Sequence, residues 1–580
     1  MRRRVFLRTL LGAGAAARFA PLHAASGASS GDGLRLTERY EAQVLLRWGD
    51  PLLPSAPPFD PRRQSAAAQA MQFGYNCDYV AFLPLPAGSA NSNRGILVVN
   101  HEYALPGLMF PPDVKLDERE RRRIEMNAVG MSVVEIRRNG SDWETVIASR
   151  HNRRVTPDTH ARLTGPAAGQ ARLRNAFSPD GINTAIGNFS NCAGGVTPWG
   201  TVLSGEESPH LSFIGNPDAI PEAASHRRYH VRGSAIALND WGRFDARFDL
   251  DRTPNGPLHA GWMVETNPFD PHDVPRKLTA LGRFAHEGAG PVVNGDGRVV
   301  VYLGDDAPRE YLYRYVSREH LRHGDLAHNR RLLEDGELSV ARFHDDGHLA
   351  WLPLVHGQGP LTADNGFVSQ GDVLLDTRRA ADALGATPTD RPEEIEVNPA
   401  TNTVFALLTG GKSAAHPAGK ILELIPPDGD HAAAGFRWET LLLGGNPAVP
   451  AHGARFHPET GLNDWFAAPD NCTFDRAGRL WIASDGMKTY GGEDGLFVVE
   501  VRGKQRARSR RLLTAPPGAE PTGPCFTPDD KTLLLAIQHP GGGSSYERPS
   551  TRWPDFNPAF PPRPSVMAIS RRDGGVIGDA

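Results

Sequence analysis

Cys192 stands in the run Asn191-Cys192-Ala193-Gly194-Gly195, and the acid pair Glu206-Glu207 follows it. Similar polar sets recur along the chain. They comprise Asn76, Asp78, Asn100, His101 and Glu102, then His286, Glu287, Asp305 and Asp306, then Arg391, Glu393 and Glu394. Asp470, Asn471 and Asp485 make a fifth set, and Thr522, Gln538 and His539 a sixth. So many carboxylates cannot share a confined site as bare anions, because like charges repel and desolvation adds to the cost. They require cations. Carboxylate and amide oxygens suit a hard ion such as Ca²⁺. A thiolate among them points to an additional, softer transition metal, with iron a candidate. Arg391 is the one arginine in these sets. Beside metals, its planar donor pair suits an oxyanion such as phosphate, although a salt bridge to Glu393 is an equally simple use of it. His286 and His539 fit supporting or general-acid roles.

Each set lies at the ends of two short apolar runs. One kind of run ends in polar residues: RGILVVNHEY (94–103), WGTVLSGEES (199–208), GRVVVYLGDD (297–306), NTVFALLTGG (402–411), GRLWIASDGM (478–487) and KTLLLAIQHP (531–540). The run before it begins with polar residues, as in NCAGGVTP (191–198), HEGAGPVV (286–293), RPEEIEVNP (391–399), PDNCTFD (469–475) and PTGPCFTP (521–528), and more loosely in YNCDYVAFLPLP (75–86). Turn signals such as NGDG and TPDD separate most pairs. Each pair therefore reads as a β-hairpin whose polar ends share one sheet edge. Such hairpins with irregular spacing predict an all-β chain, a six-bladed β-propeller with long insertions and few helices. The polar ends would converge on its axis. A two-sheet sandwich would scatter them to both edges. Residues 116–128 are the best helix candidate, and short helices are expected within 318–336 and 377–385. Residues 541–563, rich in Gly, Pro and Ser, read as an extended C-terminal arm. No linker divides residues 29–580, which form a single expected catalytic domain.

The chain has 580 residues, a formal charge of −4 and interspersed acids and bases, which argues against a nucleic-acid binder. Four cysteines exclude a disulfide scaffold, and Cys77, Cys472 and Cys525 read as small core residues. No apolar stretch is long enough to span a membrane. Residues 1–28 carry Arg3-Arg4-Val5-Phe6-Leu7 before an Ala/Gly-rich stretch, a twin-arginine signal pattern with small residues for cleavage. Its removal takes away Arg2, Arg3, Arg4, Arg8 and Arg18 and no acid. The export machinery is thus an expected partner, and the mature protein is expected in the periplasm or outside the cell, as a monomer. The chain has no G-x-S-x-G, P-loop or H-E-x-x-H motif, so those hydrolase chemistries lack support.

The segments FGYNCDYVAF (73–82), LVVNHEY (97–103), NCAGGVTPWGTVLSGEE (191–207), ALGRFAHEGA (280–289), RPEEIEVNP (391–399), PDNCTFDRAGRLWIASDG (469–486) and GPCFTPDDKTLLLAIQHPG (523–541) occur in one order over nearly the whole chain. In them the chain resembles the PhoX-type alkaline phosphatases of bacteria. That resemblance implies phosphomonoester hydrolysis at a centre of two ferric ions and several calcium ions. It implies metal ligation by Cys192, Glu207 and Glu287, with Glu206, Glu393 and Asp470 as further ligands. Arg391 would contact the substrate phosphate, with Glu393 and Asn471 beside it. Insertions at 209–260 and 307–360 fall outside the match and leave substrate range open. A phosphodiesterase, a calcium-dependent lactonase or phytase-like enzyme, or a non-catalytic calcium-binding propeller would use the same carboxylates. The lactonase and the binding propeller would have less need of Cys192 or Arg391.

Overall fold

A computed structural model describes residues 33–183 and 185–579, so the twin-arginine segment lies outside the described residues. Apolar runs between turn residues become strands. Arg298–Asp305, for example, is buried from Val299 onward because a neighbouring blade covers each of its faces. Its hairpin turn uses Gly297 at φ 89°, a backbone state that glycine reaches without strain.

Six blades result. Their innermost strands are Cys77–Pro84, Asn191–Val196, His286–Val293, Pro392–Val397, Pro469–Phe474 and Glu520–Phe526. Each pairs antiparallel with the strand that follows it. Each also packs against the innermost strands of the blades on either side, and the last packs against the first. The ring is closed, as a propeller requires and a sandwich would not allow.

The sixth blade is completed from both ends of the chain. Tyr40–Arg47 pairs with Ser565–Arg571, which pairs in turn with Thr532–Gln538. Residues 541–563 therefore form a long connection inside this blade rather than a C-terminal arm, because the apolar strand after them returns to the sheet. Trp553 anchors that connection in the core.

The third blade extends through Leu312–His320, Gly336–Phe343 and His348–Pro353, whose edge pairs with Gly435–Leu443 of the fourth, giving a nine-stranded sheet. Helices form at Glu118–Ala128, capped by Asp117, and at Thr377–Leu384. The short helix expected within 318–336 forms as Leu326–Asn329, continued by the 3-10 turn Arg330–Leu333. Residues 318–320 continue the strand that begins at Leu312. No helix among the described residues is long and apolar enough to cross a membrane.

Candidate metal centre

All six innermost strands break register at the same level. The breaks fall between Cys77 and Val80, Asn191 and Gly194, His286 and Ala289, Pro392 and Ile395, Pro469 and Cys472, and Thr522 and Cys525. The first residues inside these irregularities are Asp78, Cys192, Glu287, Glu393, Asp470 and Gly523. A bulge re-aims a side chain that regular pleating would send elsewhere. Five blades thus present a ligand-type side chain at one level. The sixth presents Gly523, where a Cβ would lie 2.5 Å from the Asp78 carbonyl oxygen. Two residues before four of these positions, Asn76, Ser190, Arg391 and Ala468 hold φ of 39°, 56°, 55° and 49°. Non-glycine residues take this left-handed state at a cost of about 1–2 kcal/mol each, and such strain collects at functional sites.

The re-aimed residues form four overlapping groups with ligand atoms within 4.8 Å of one another. These are Asp78, Glu102 and Cys192; Cys192, Glu207 and Glu287; Glu287, Glu393 and Asp470; and Asp470, Asp485 and Glu520. Glu102, Glu207 and Asp485 stand just past the ends of second strands, as the hairpin pattern predicts. The Cys192 Sγ lies 3.4 Å from Asp78 Oδ2 and 3.5 Å from Glu287 Oε1.

These acids have no cation equal to their charge. Burial pushes Asp78 up to about 7 and Glu102 up to about 8. Burial, reinforced by the neighbouring carboxylates, holds Glu207, Glu287, Glu393, Asp470 and Glu520 well above the usual carboxylate range. The Cys192 thiol rises for the same reasons. Asp78 Oδ1, Glu287 Oε2 and Glu520 Oε2 are buried with no hydrogen-bond partner, and so is Asn76 Oδ1. Orphaned oxygens facing like charge are groups that a bound cation would satisfy. The donor set fits metal.

Other side chains hold the ligands in place. Asn100 donates to the Cys192 carbonyl at 2.6 Å and accepts from Ser204 Oγ, which also accepts from Asn191. Gln538 donates to Asp78 at 2.9 Å and to Glu102 at 3.0 Å. Thr409 donates 2.9 Å to Glu393. Asn471 lies 3.5 Å from Glu287 Oε1 and accepts from the Gly523 N–H at 3.4 Å, so it steadies Glu287. Arg391 Nε and Nη2 reach Asp306 at 2.9 and 2.7 Å, and Nη2 also reaches Glu393 at 2.7 Å. Its side chain stays 31% exposed, unlike the Asp306 and Glu393 carboxylates that hold it.

Several expected participants lie elsewhere. Glu206 is fully buried with Lys277 at 2.8 Å and belongs to none of the four groups. Asp305 pairs with Arg378 Nε at 2.9 Å. Glu394 accepts from the Cys472 backbone N–H. His101 is fixed between the Tyr75 carbonyl and Ser132. His286 bonds the Gly282 carbonyl, stacks on Phe284 and is pushed down to about 3 by burial, so its ring is neutral and its Nε2–H is committed to that carbonyl. His539 bonds Glu520 at 2.9 Å. All four cysteines are free. The ligand-type residue the hairpin reading missed is Glu520. It pairs with Gln538 at the start of its strand, one residue before the polar run that marked the sixth hairpin. The signal was there, in an acid opposite an already noted glutamine.

The family model described as alkaline phosphatase PhoX matches residues 18–541. The structure of Pseudomonas fluorescens PhoX in complex with vanadate, a transition state analogue, superposes with a TM-score of 0.86 at 36% identity, covering 95% of this chain and 98% of that one. A Dyadobacter fermentans protein of unknown function gives a TM-score of 0.34 at 8% identity, covering 93% and 100% of the two chains. A Penicillium chrysogenum alpha-L-arabinanase gives 0.32 at 9%, covering 91% and 98%. No curated protein matches. Over a matched span that includes every ligand group described above, the chain belongs to the PhoX family of alkaline phosphatases.

Proposed function

We propose that the chain is an exported, metal-dependent phosphatase that hydrolyses phosphate monoesters. The observation that carries this reading is the ring of five bulges that aims Asp78, Cys192, Glu287, Glu393 and Asp470 at one axis beside Arg391. Cys192 belongs to two of the groups, and with the carboxylates around it would hold a transition metal, which we read as ferric iron. The two groups without it are all carboxylate and suit Ca²⁺. When bound, such ions neutralise phosphoryl oxygens and activate the attacking water.

The protein's own part is positional. Arg391, held between Asp306 and Glu393 and partly exposed, would meet non-bridging phosphate oxygens. Glu393 restrains that guanidinium, and Asn471 steadies Glu287. The Pseudomonas fluorescens relative, at 36% identity, is described in complex with vanadate, a transition state analogue, which supports a phosphoryl-transfer reading for this chain. The twin-arginine pattern of residues 1–28 supports export to the periplasm or beyond.

The test is p-nitrophenyl phosphate hydrolysis by the iron-loaded mature protein at alkaline pH, with and without Ca²⁺. Calcium-dependent turnover is expected. A folded, metal-loaded sample that cleaves no monoester but does cleave diesters or lactones would overturn the reading.

A further inference from the structure

The chain between Glu207 and Trp262 is the first insertion, and it folds as short 3-10 turns and one six-residue helix, Ala223–Arg228. It encloses, against the third blade, a cavity of about 390 Å³. That volume lies within the range of small-molecule sites, roughly 300–1,000 Å³. Glu207, Asp306 and Arg391 line it, so the cavity adjoins the phosphate end of the site directly.

The remaining lining has a different character. Phe213, Val231 and Phe284 give it apolar surface, with the Tyr229 ring beside them. These rings are held rigidly. Phe284 is stacked between His286 and Tyr313 at centroid distances of 3.8 and 4.3 Å and forms a buried part of the cavity wall. Tyr229 lies under the Arg283 guanidinium at 3.7 Å and donates to the Arg283 carbonyl. Fixed rings lose little freedom on binding.

His210 and His230 are the neutral polar groups of the lining. Burial pushes His210 down to about 4 and lowers His230 as well. Neither ring has a hydrogen-bond partner among the described residues, so each offers one donor and one acceptor. The lining contains no carboxylate beyond Glu207 and Asp306. Arg283 is 2% exposed and bonded only to the Leu375 and Pro257 carbonyls and the Ser225 hydroxyl. Its charge makes the far end unsuitable for cationic groups.

We propose that this cavity is the leaving-group chamber of the reaction and that it selects esters whose alcohol carries an uncharged ring. The proposal rests on the phosphomonoesterase reading. A substrate phosphate held at Arg391 projects its ester group into the adjoining space. There the ring packs against the apolar wall that Phe213, Val231, Phe284, Ala307 and Pro308 build, and polar ring substituents meet His210 and His230.

The experiment compares kcat/KM for benzyl phosphate and ethyl phosphate, whose alcohols have closely matched acidity, with inorganic phosphate as a competitive inhibitor. The metal-loaded wild type should favour the benzyl ester about tenfold or more, the scale of apolar pocket discrimination. Phe213→Ala should cut that ratio several-fold, and Ala307→Phe, which fills the chamber, should bring it near one. Inhibition by phosphate reads whether the phosphate end survives in each variant. A wild-type ratio near one, or variants that slow both esters in parallel, would overturn the chamber. Turnover of neither ester would instead remove the phosphomonoesterase reading, and the chamber with it.

Discussion

Lys277 Nζ lies 2.8 Å from Glu206 Oε1 with both side chains at 0% exposure, and it also donates to the His259 carbonyl at 2.6 Å. The adjacent acid, Glu207, joins the metal groups. Two neighbouring glutamates thus have separate roles, one neutralised by protein and one available to a cation. Lys277→Met should strand the Glu206 charge and destabilise the fold by about 3–5 kcal/mol. Glu206→Gln should keep its full metal content. Iron or calcium lost from a folded Glu206→Gln protein would place this residue in the ligand set.

Cys192→Ala should remove the transition metal while leaving the all-carboxylate groups able to bind calcium. Elemental analysis of purified protein is the check, and phosphatase activity should fall with the iron. An iron-loaded, active Cys192→Ala protein would refute the role of the thiolate.

Arg391→Lys should retain metal but lower kcat by about 10²–10³, the scale of losing one fixed donor to developing charge. Lysine has no planar fork with which to hold Asp306, Glu393 and a phosphate together. Unchanged kcat at full metal loading would show that the arginine is only a structural counter-ion.

Gly304 makes a tight contact between the third and fourth blades. A Cβ there would meet the Glu393 carbonyl oxygen at 2.3 Å. Gly304→Ala should displace the fourth innermost strand, weaken calcium binding about tenfold or more and cost about 1–3 kcal/mol. Calcium titration followed by thermal melting measures both effects.

The metal-free protein should be acid-stabilised. Glu102 ionises near 8 folded against 4.5 ordinarily, and Asp78 near 7 against 3.8. The unfolded chain therefore loses these protons first as pH rises, so stability present below about pH 4 drains away up to about pH 8. Cations that bind only the ionised site oppose this trend. Melting temperature should fall from about pH 5 to 8 in chelator-stripped protein and hold or rise with calcium. Parallel falls in both samples would contradict a cation site.

The hairpins were legible because polar residues stop each apolar run where it reaches the axis, as at Gly304-Asp305-Asp306 and Ser484-Asp485-Gly486. The bulges were not legible, because a break in register belongs to a pair of strands and neither strand shows it alone. The pairing of Glu206 was not legible for a related reason. Adjacent strand residues face opposite ways, and the lysine that claims Glu206 stands 71 residues further on. Arg378, which takes Asp305, comes from the helix Thr377–Leu384 far along the chain. Sequence spacing finds the edge that gathers charge, while distant partners decide which charges remain free.

The strand Tyr40–Arg47 fastens the sixth blade to its last strand, so the circle cannot shut until residues near both termini have met. The acids on the axis come from positions as far apart as Asp78 and Glu520. Before the blades dock, these acids would be solvated on separate strands and would repel one another only weakly. Their mutual repulsion becomes strong only at the final docking, when the ring draws them together. Metal capture is thereby coupled to completion of the whole polypeptide, and a chain cut short should gain neither its ions nor their stabilisation.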